Sequence, residues 1–76
     1  MAKEDIFCSV LKREIEKQGV SIKALAEYVG VTSRTLKRYI NGGSKPRATA
    51  ILKISEYLNI TIDYLLGFRD EFGNRL

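Results

Sequence analysis

The chain has 76 residues, of which 45% are hydrophobic and 29% are charged, and it contains no histidine and only one cysteine. This length corresponds to one small domain. With no histidine and with Cys8 as the only thiol, the sequence lacks the usual residues for acid–base catalysis, zinc binding or an internal disulfide. No apolar run approaches the roughly 20 residues of a membrane span. We therefore expect a cytoplasmic, non-enzymatic domain with no metal, no cofactor and no evident small-molecule ligand.

The formal net charge of +4 is unevenly distributed along the chain. The window 28–55 contains no Asp or Glu, and all nine acidic residues lie outside it. Such a local concentration of positive charge predicts an anionic partner, although a basic helix face that is merely solvated fits the same composition. The cationic residues of this window are Arg34, Lys37, Arg38, Lys45, Arg47 and Lys53.

Apolar residues at three- and four-residue spacing predict five helices and no sheet. Ser21, Thr32 and Thr61 are the expected N-caps of the second, third and fifth helices. Residues 1–67 form the predicted domain, and the charged tail 68–76 is expected to be poorly ordered. The five helices are predicted at about residues 5–18, 21–30, 32–41, 47–58 and 62–66.

Only three residues, Gly30-Val31-Thr32, separate the second and third predicted helices. So short a link requires the two helices to cross steeply. Ala26 is small where the backbones approach, and Gly30 can adopt the positive φ of a sharp turn. The apolar residues that fix the crossing angle are expected to be Leu25, Val29, Val31, Leu36 and Tyr39.

This spacing is typical of a helix-turn-helix at about residues 21–41. Together with Asn41-Gly42, Pro46 and the segment LNITIDYLLG, it resembles the lambda-repressor-like, Cro/CI-type (XRE) helix-turn-helix regulators over about residues 5–67. The resemblance implies an all-α, compact five-helix DNA-binding domain, and a sequence-specific transcriptional regulator, most readily a repressor, of bacterial or phage origin. Two positions depart from the family pattern: Ile22 and Ile40 stand where glutamine and glutamate are frequent.

The third predicted helix turns Leu36 and Ile40 inward, which leaves a polar and basic face outward. In helix-turn-helix proteins this face lies in the major groove of double-stranded DNA. Arginine can bond bidentately to guanine, so Arg34 and Arg38 are the strongest base-reading candidates, ahead of Ser33 and Lys37.

The segment after the third helix is suited to a sugar–phosphate strand, because glycines allow close approach and cations release counterions on binding. The resemblance likewise implies phosphate contacts from this loop, including its backbone amides. The predicted phosphate-contacting residues are Asn41, Gly43, Ser44, Lys45 and Arg47.

We also predict a homodimer, formed only on DNA if its interface is small, because one recognition helix specifies too few base pairs to select a site in a genome. Five residues near the C-terminus offer more apolar surface than five short helices readily bury. A role in the core alone is the alternative for several of them. The predicted interface contains Tyr57, Tyr64, Leu65, Phe68 and Phe72.

Two other functions compete with DNA binding. The same fold can serve as a protein-interaction module, such as an antitoxin or an anti-repressor partner. An RNA-binding role is disfavoured, because readers of single strands usually stack bases on several aromatic residues and the basic face offers only Tyr39, which we expect in the core.

Overall fold

The computed structural model describes residues 3–70 and 72–75, and it describes residues 3–5 only through their backbone. Within these ranges the chain is all-helical apart from an isolated backbone bridge between Arg69 and Arg75. The predicted five-helix fold is therefore confirmed. None of the described helices combines the length and hydrophobicity that a bilayer crossing requires. The helices are α1 Lys3–Gln18, α2 Ile22–Val29, α3 Ser33–Ile40, α4 Ala48–Leu58 and α5 Ile62–Leu65.

Local sequence signals set most helix boundaries. The hydroxyls of Ser21, Thr32 and Thr61 accept hydrogen bonds from backbone amides in the first turns of α2, α3 and α5, which confirms the three predicted N-caps. The fourth helix begins after Arg47, whose side chain makes no capping hydrogen bond. It ends at Asn59, whose φ of 55° places it in the left-handed region. Three of the helix starts therefore follow from hydroxyl caps, and the end of α4 follows from a left-handed residue.

The hydrophobic core lies where α1 packs against α3, α4 and α5, and where α2 packs against α3 and α4. Every helix contributes apolar side chains to it at the spacing that the sequence predicts. Ile40 and Ile51 are half-buried at its edge. The largest side chains that are completely enclosed are Leu11, Leu25, Leu36, Ile54, Leu58 and Leu65.

A polar network links the first helix to the last inside this fold. The Glu14 side chain is only 4% exposed, and its carboxylate accepts hydrogen bonds from the Tyr64 hydroxyl (2.9 Å) and from the Gln18 amide (3.0 Å). The same Gln18 amide donates to the Leu58 carbonyl at 2.8 Å. The Arg13 guanidinium donates to the Tyr64 hydroxyl from the partly exposed side. The network thus fixes α5 against α1 with its buried carboxylate fully paired.

The ionisation of Glu14 depends on these partners. Burial raises the pKa of its carboxyl group, but the hydrogen bonds from Gln18 and Tyr64 and the nearby charges of Lys17 and Arg13 outweigh that effect, so the pKa lies below its ordinary value of 4.5. Burial also raises the pKa of the Tyr64 hydroxyl, which stays protonated as a donor. Since the pKa of Glu14 is lowered on folding, its stabilisation is present above pH 4.5 and is lost as pH falls through the folded value.

The described residues of the tail form hydrogen bonds with one another, while its predicted poor order stays a prediction. The backbone amides of Phe72 and Asn74 both donate to Asp70 Oδ1 at 2.9 Å, and the Asp70 amide donates to the Asn74 carbonyl at 2.8 Å. Arg69 joins this turn to the fifth helix through an ion pair with Asp63 at 3.2 Å. These described residues therefore form a hydrogen-bonded turn tied to α5, a pattern that Asp and Asn favour.

We predict that Glu14→Gln lowers the free energy of unfolding by about 1–3 kcal/mol near neutral pH, because a charged acceptor of two hydrogen bonds is lost from a buried position. The same variant should lose stability less steeply than the parent chain as pH falls below about 4.5. Urea unfolding at several pH values measures both effects. Glu16→Gln, on the exposed side of the same helix, is the control and should leave the pH dependence nearly unchanged.

Candidate nucleic-acid interface

The turn between α2 and α3 sets the orientation of the third helix. Gly30 has a φ of 88°, and both its amide and the Val31 amide donate to the Ala26 carbonyl, at 2.9 and 3.0 Å. Ala26 itself is buried, as the close approach of the two helices requires. Leu25 and Leu36 are both fully buried in the core. The predicted tight turn is thus present, with glycine at the residue that adopts a left-handed conformation.

The third helix separates its side chains into a buried face and a cationic face. Leu36 and Tyr39 are buried, which confirms the predicted place of Tyr39 in the core. Arg34, Lys37 and Arg38 are exposed on the other side, and none of the three makes an ion pair with any described residue. Three predicted base-reading cations are therefore available on one short surface.

Ser33, the fourth predicted base-reading residue, lies at the start of this helix beside its N-cap. Ser33 is the first residue of α3 and is half-buried. The Thr35 amide donates to the Thr32 hydroxyl at 3.1 Å, and the two hydroxyl groups lie 3.0 Å apart in a hydrogen bond. Thr35 is thus part of the N-cap, which fixes where the cationic helix begins.

The loop after α3 begins with a two-bond helix cap. The Gly42 amide donates to the Tyr39 carbonyl at 3.3 Å, and the Gly43 amide donates to the Arg38 carbonyl at 2.8 Å. This is the Schellman arrangement, with Gly42 at a φ of 78°. Since both amides already have acceptors inside the chain, the predicted contribution of Gly43 to phosphate binding is limited to close approach of its backbone.

The remaining loop residues that we predicted to contact phosphate lie at the surface. Asn41, Lys45 and Arg47 are exposed, and Ser44 is half-buried. Lys45 also lines a groove behind the loop and has a further interaction within the chain. Arg47 is the exposed residue immediately before α4. Lys45 and Arg47 are thus exposed cations of the segment that joins α3 to α4.

The two positions that depart from the family pattern contribute to packing. Ile22 and Ile40 are both half-buried against the core. Cys8 also packs there, and its thiol donates to the Tyr39 carbonyl at 3.3 Å. These residues support the ends of α2 and α3 from inside the fold. Among the described residues no group of three or more potential metal ligands occurs.

An exposed aromatic pair on α2 and α4 was not anticipated from the sequence. The rings of Tyr28 and Tyr57 lie 5.3 Å apart at 54°, and the Lys53 ammonium group lies 5.3 Å from the centre of the Tyr28 ring. Both tyrosines keep part of their surface exposed. The four-residue spacing of Lys53 and Tyr57 indicates that the two share one face of α4. Their contact with Tyr28 of α2 depends on tertiary packing, which the sequence does not show.

The structure narrows the predicted dimer interface. Tyr64 is 6% exposed and Leu65 is 0% exposed, because α5 turns both side chains into the core. Because both side chains are buried, they are not available at the surface for the predicted dimer contact. Phe68 and Phe72 remain exposed, and Ile62 on α5, which we had not included, is exposed as well. Tyr57 is also exposed, and its ring lies against that of Tyr28. Among the described residues, the exposed part of the predicted interface is therefore Tyr57, Phe68 and Phe72, and Ile62 adds to it.

A tight turn that orients one exposed cationic helix is typical of the helix-turn-helix class. The chain matches the helix-turn-helix family over residues 11–65, which is more than half of its length, and it belongs to this family. The family resemblance seen in the sequence is therefore confirmed.

Its relatives are longer proteins. The chain is 32% identical over 65 residues to the HTH-type transcriptional regulator ImmR of Bacillus subtilis, covering 86% of this chain and 50% of ImmR. It is also 32% identical over 62 residues to a protein of Methanococcus vannielii that is predicted to be an HTH-type transcriptional regulatory protein, covering 82% of this chain and 19% of that protein. The chain thus spans half or less of these relatives. No solved structure matches it significantly.

The two loop glycines allow a matched test of the cap. We predict that Gly42→Ala lowers the free energy of unfolding by about 1–2 kcal/mol, because its φ of 78° disfavours any side chain. Gly43→Ala should change stability by less than about 0.5 kcal/mol. The nearest atom to a new Cβ at Gly43 would be the Arg38 carbonyl oxygen at 3.8 Å, an ordinary contact. Equal losses in thermal or urea unfolding would contradict this account of the cap.

Proposed function

We propose that this chain is a sequence-specific DNA-binding domain of a transcriptional regulator, most readily a repressor. The observation that carries the proposal is the exposed face of α3, where Arg34, Lys37 and Arg38 project from a helix held by the tight turn. None of them takes part in an ion pair within the described structure. The family membership and the regulator names of its relatives support the same function. A place in the cytoplasm and the absence of enzymatic activity stay predictions.

In the proposed complex the third helix enters the major groove, where each base pair presents a distinct pattern of donors and acceptors. Arg34 and Arg38 lie four residues apart, so their side chains leave adjacent turns of the same helix face. Each guanidinium can bond to O6 and N7 of a guanine. Ser33 and Lys37 complete the surface that faces the bases.

We expect Arg38→Ala to weaken binding to the preferred duplex by about 1–3 kcal/mol and to weaken binding to random duplex much less, because a base contact contributes only at its matching base. Arg34→Ala should behave in the same way. The preferred duplex is first selected from a random oligonucleotide pool, and affinities are then measured by fluorescence anisotropy. Lys12→Ala, which removes an exposed cation from α1, is the charge-matched control.

The competing functions predict different results. Equal losses on selected and random duplexes would reassign both arginines to phosphate contacts. Failure of the parent chain to bind any duplex would instead favour the protein-interaction module, for which the exposed Tyr28–Tyr57 pair is the best-defined aromatic surface. Preference for single-stranded RNA over duplex DNA would favour the third alternative.

The loop after α3 is proposed to follow a phosphate strand. Arg47 is the clearest test of this role, because its side chain makes no capping hydrogen bond to α4 and its removal leaves that helix start intact. Arg47→Ala should weaken binding to all duplexes alike and reduce the slope of log affinity against log salt by about one unit. A change in sequence preference with an unchanged slope would contradict this assignment.

Gly43→Ala provides a second probe of the same strand. It adds a methyl group to the loop surface without strain in the chain, so weaker DNA binding with unchanged stability would indicate close backbone approach. Asn41, Ser44 and Lys45 remain the other proposed phosphate contacts.

We further propose that the domain binds its operator as a two-fold dimer. Ile62, Phe68 and Phe72 leave apolar surface exposed within eleven residues near the C-terminus, which is the kind of surface that a symmetric contact buries. Sedimentation with and without the selected operator tests this part of the proposal. A strict one-to-one complex on an asymmetric site would contradict it.

A further inference from the structure

The carbonyl group of Tyr39 lies where three parts of the fold meet. It belongs to the last turn of α3, whose final carbonyl groups have no partner further along the helix. It accepts hydrogen bonds from two groups outside that helix, the Cys8 thiol of α1 at 3.3 Å and the Gly42 amide of the following loop at 3.3 Å. One acceptor therefore connects the first helix, the third helix and the start of the loop.

Cys8 reaches this carbonyl group from a distant part of the sequence. The two residues lie 31 positions apart, and the Cys8 side chain is half-buried against the core. Its sulfur also lies against the loop backbone, since a Cβ added at Gly42 would meet Cys8 Sγ at 3.5 Å, an ordinary contact distance. A thiol is a weak donor, but it is small and polarisable, so this side chain can both fill the space and donate.

Side-chain packing beneath the loop is incomplete. An apolar groove of about 270 Å³ lies behind it, and this groove is lined by Cys8 on the side of α1 and by Gly42, Ser44 and Pro46 on the side of the loop. A backbone segment that borders such a space is held by its hydrogen bonds more than by packing. The contacts that Cys8 makes with the Tyr39 carbonyl and with Gly42 therefore support the loop where its packing is open.

The geometry points to Cys8 as a positioning residue for DNA binding, which holds the start of the phosphate-contacting loop against the end of α3. Its side chain acts from inside the fold and makes no contact with DNA. Through the Tyr39 carbonyl the thiol restrains the Gly42 amide, and the next amide, that of Gly43, is bonded to the Arg38 carbonyl. The inference rests on the function proposed above, and it adds a residue of α1 that lies outside the predicted DNA-contacting surface.

Three substitutions separate the hydrogen bond from the space that the side chain fills. Cys8→Ser keeps a donor, Cys8→Val keeps most of the volume without a donor, and Cys8→Ala loses both. Affinities are measured by fluorescence anisotropy where every variant is folded. Cys8→Val and Cys8→Ala should bind selected and random duplexes alike about threefold to tenfold more weakly, because one positioning hydrogen bond of a phosphate-contacting loop is lost. Cys8→Ser should bind within about twofold of the parent chain, and so should the control Ser9→Ala, which changes the exposed neighbour on α1.

Amide hydrogen exchange in the free protein tests the positioning role without DNA. In Cys8→Val the Gly42 and Gly43 amides should exchange about threefold or more faster than in the parent chain, because the loop opens more readily. The Leu36 amide, which donates to the Thr32 carbonyl within α3, should keep its rate. A general loss of stability would instead speed exchange at this buried residue as well. Cys8→Ser should keep the parent rates at both loop glycines.

The other outcomes would overturn the inference in distinguishable ways. Parent-like affinity in Cys8→Val would exclude a positioning role in DNA binding. Equal weakening in Cys8→Ser and Cys8→Val would assign the effect to the packing of the sulfur and not to its hydrogen bond. A loss confined to the selected duplex, or a loss with unchanged exchange at the loop glycines, would exclude the loop as the element that Cys8 positions. These results leave the proposed function intact, whereas failure of the parent chain to bind any duplex would contradict the function and the inference together.

Discussion

The amides of Gly30 and Val31 share a single acceptor, the Ala26 carbonyl, and the orientation of the third helix depends on this shared acceptor. The chain can turn within so few residues only because Gly30 adopts a positive φ and Ala26 leaves room for the crossing. Leu36 then enters the core from a fixed direction. The cationic face of α3 points outward as a consequence of how its apolar face is buried.

The elements that local chemistry determines were predictable from the sequence. Ser21, Thr32 and Thr61 precede apolar stripes, and each forms the expected hydroxyl cap because the cap involves residues only three positions apart. The buried positions of Leu36 and Tyr39 likewise follow from helical spacing. The same spacing leaves the neighbouring cations exposed, which is why the candidate base-reading surface was found before the structure.

Features that depend on distant partners could not be predicted in the same way. Tyr64 is buried because its hydroxyl reaches Glu14, fifty positions earlier in the chain, and no local pattern contains that contact. The pairing of Tyr28 with Tyr57 has the same origin. At the loop, the sequence indicated close backbone approach at Gly43, but it did not reveal that its amide is already bonded to Arg38. The sequence therefore indicated which residues form the surface. Only the structure shows which of its backbone amides are already hydrogen-bonded within the chain.

The long separation between Glu14 and Tyr64 has a consequence for synthesis on the ribosome. The first helix can form early, but its buried carboxylate acquires the Tyr64 hydroxyl only after the fifth helix has left the exit tunnel. Until then the side of α1 that packs against α5 stays open to water. Folding of this small domain is therefore completed only when nearly all of it has been translated. During that interval the exposed apolar side of α1 is open to association with other chains.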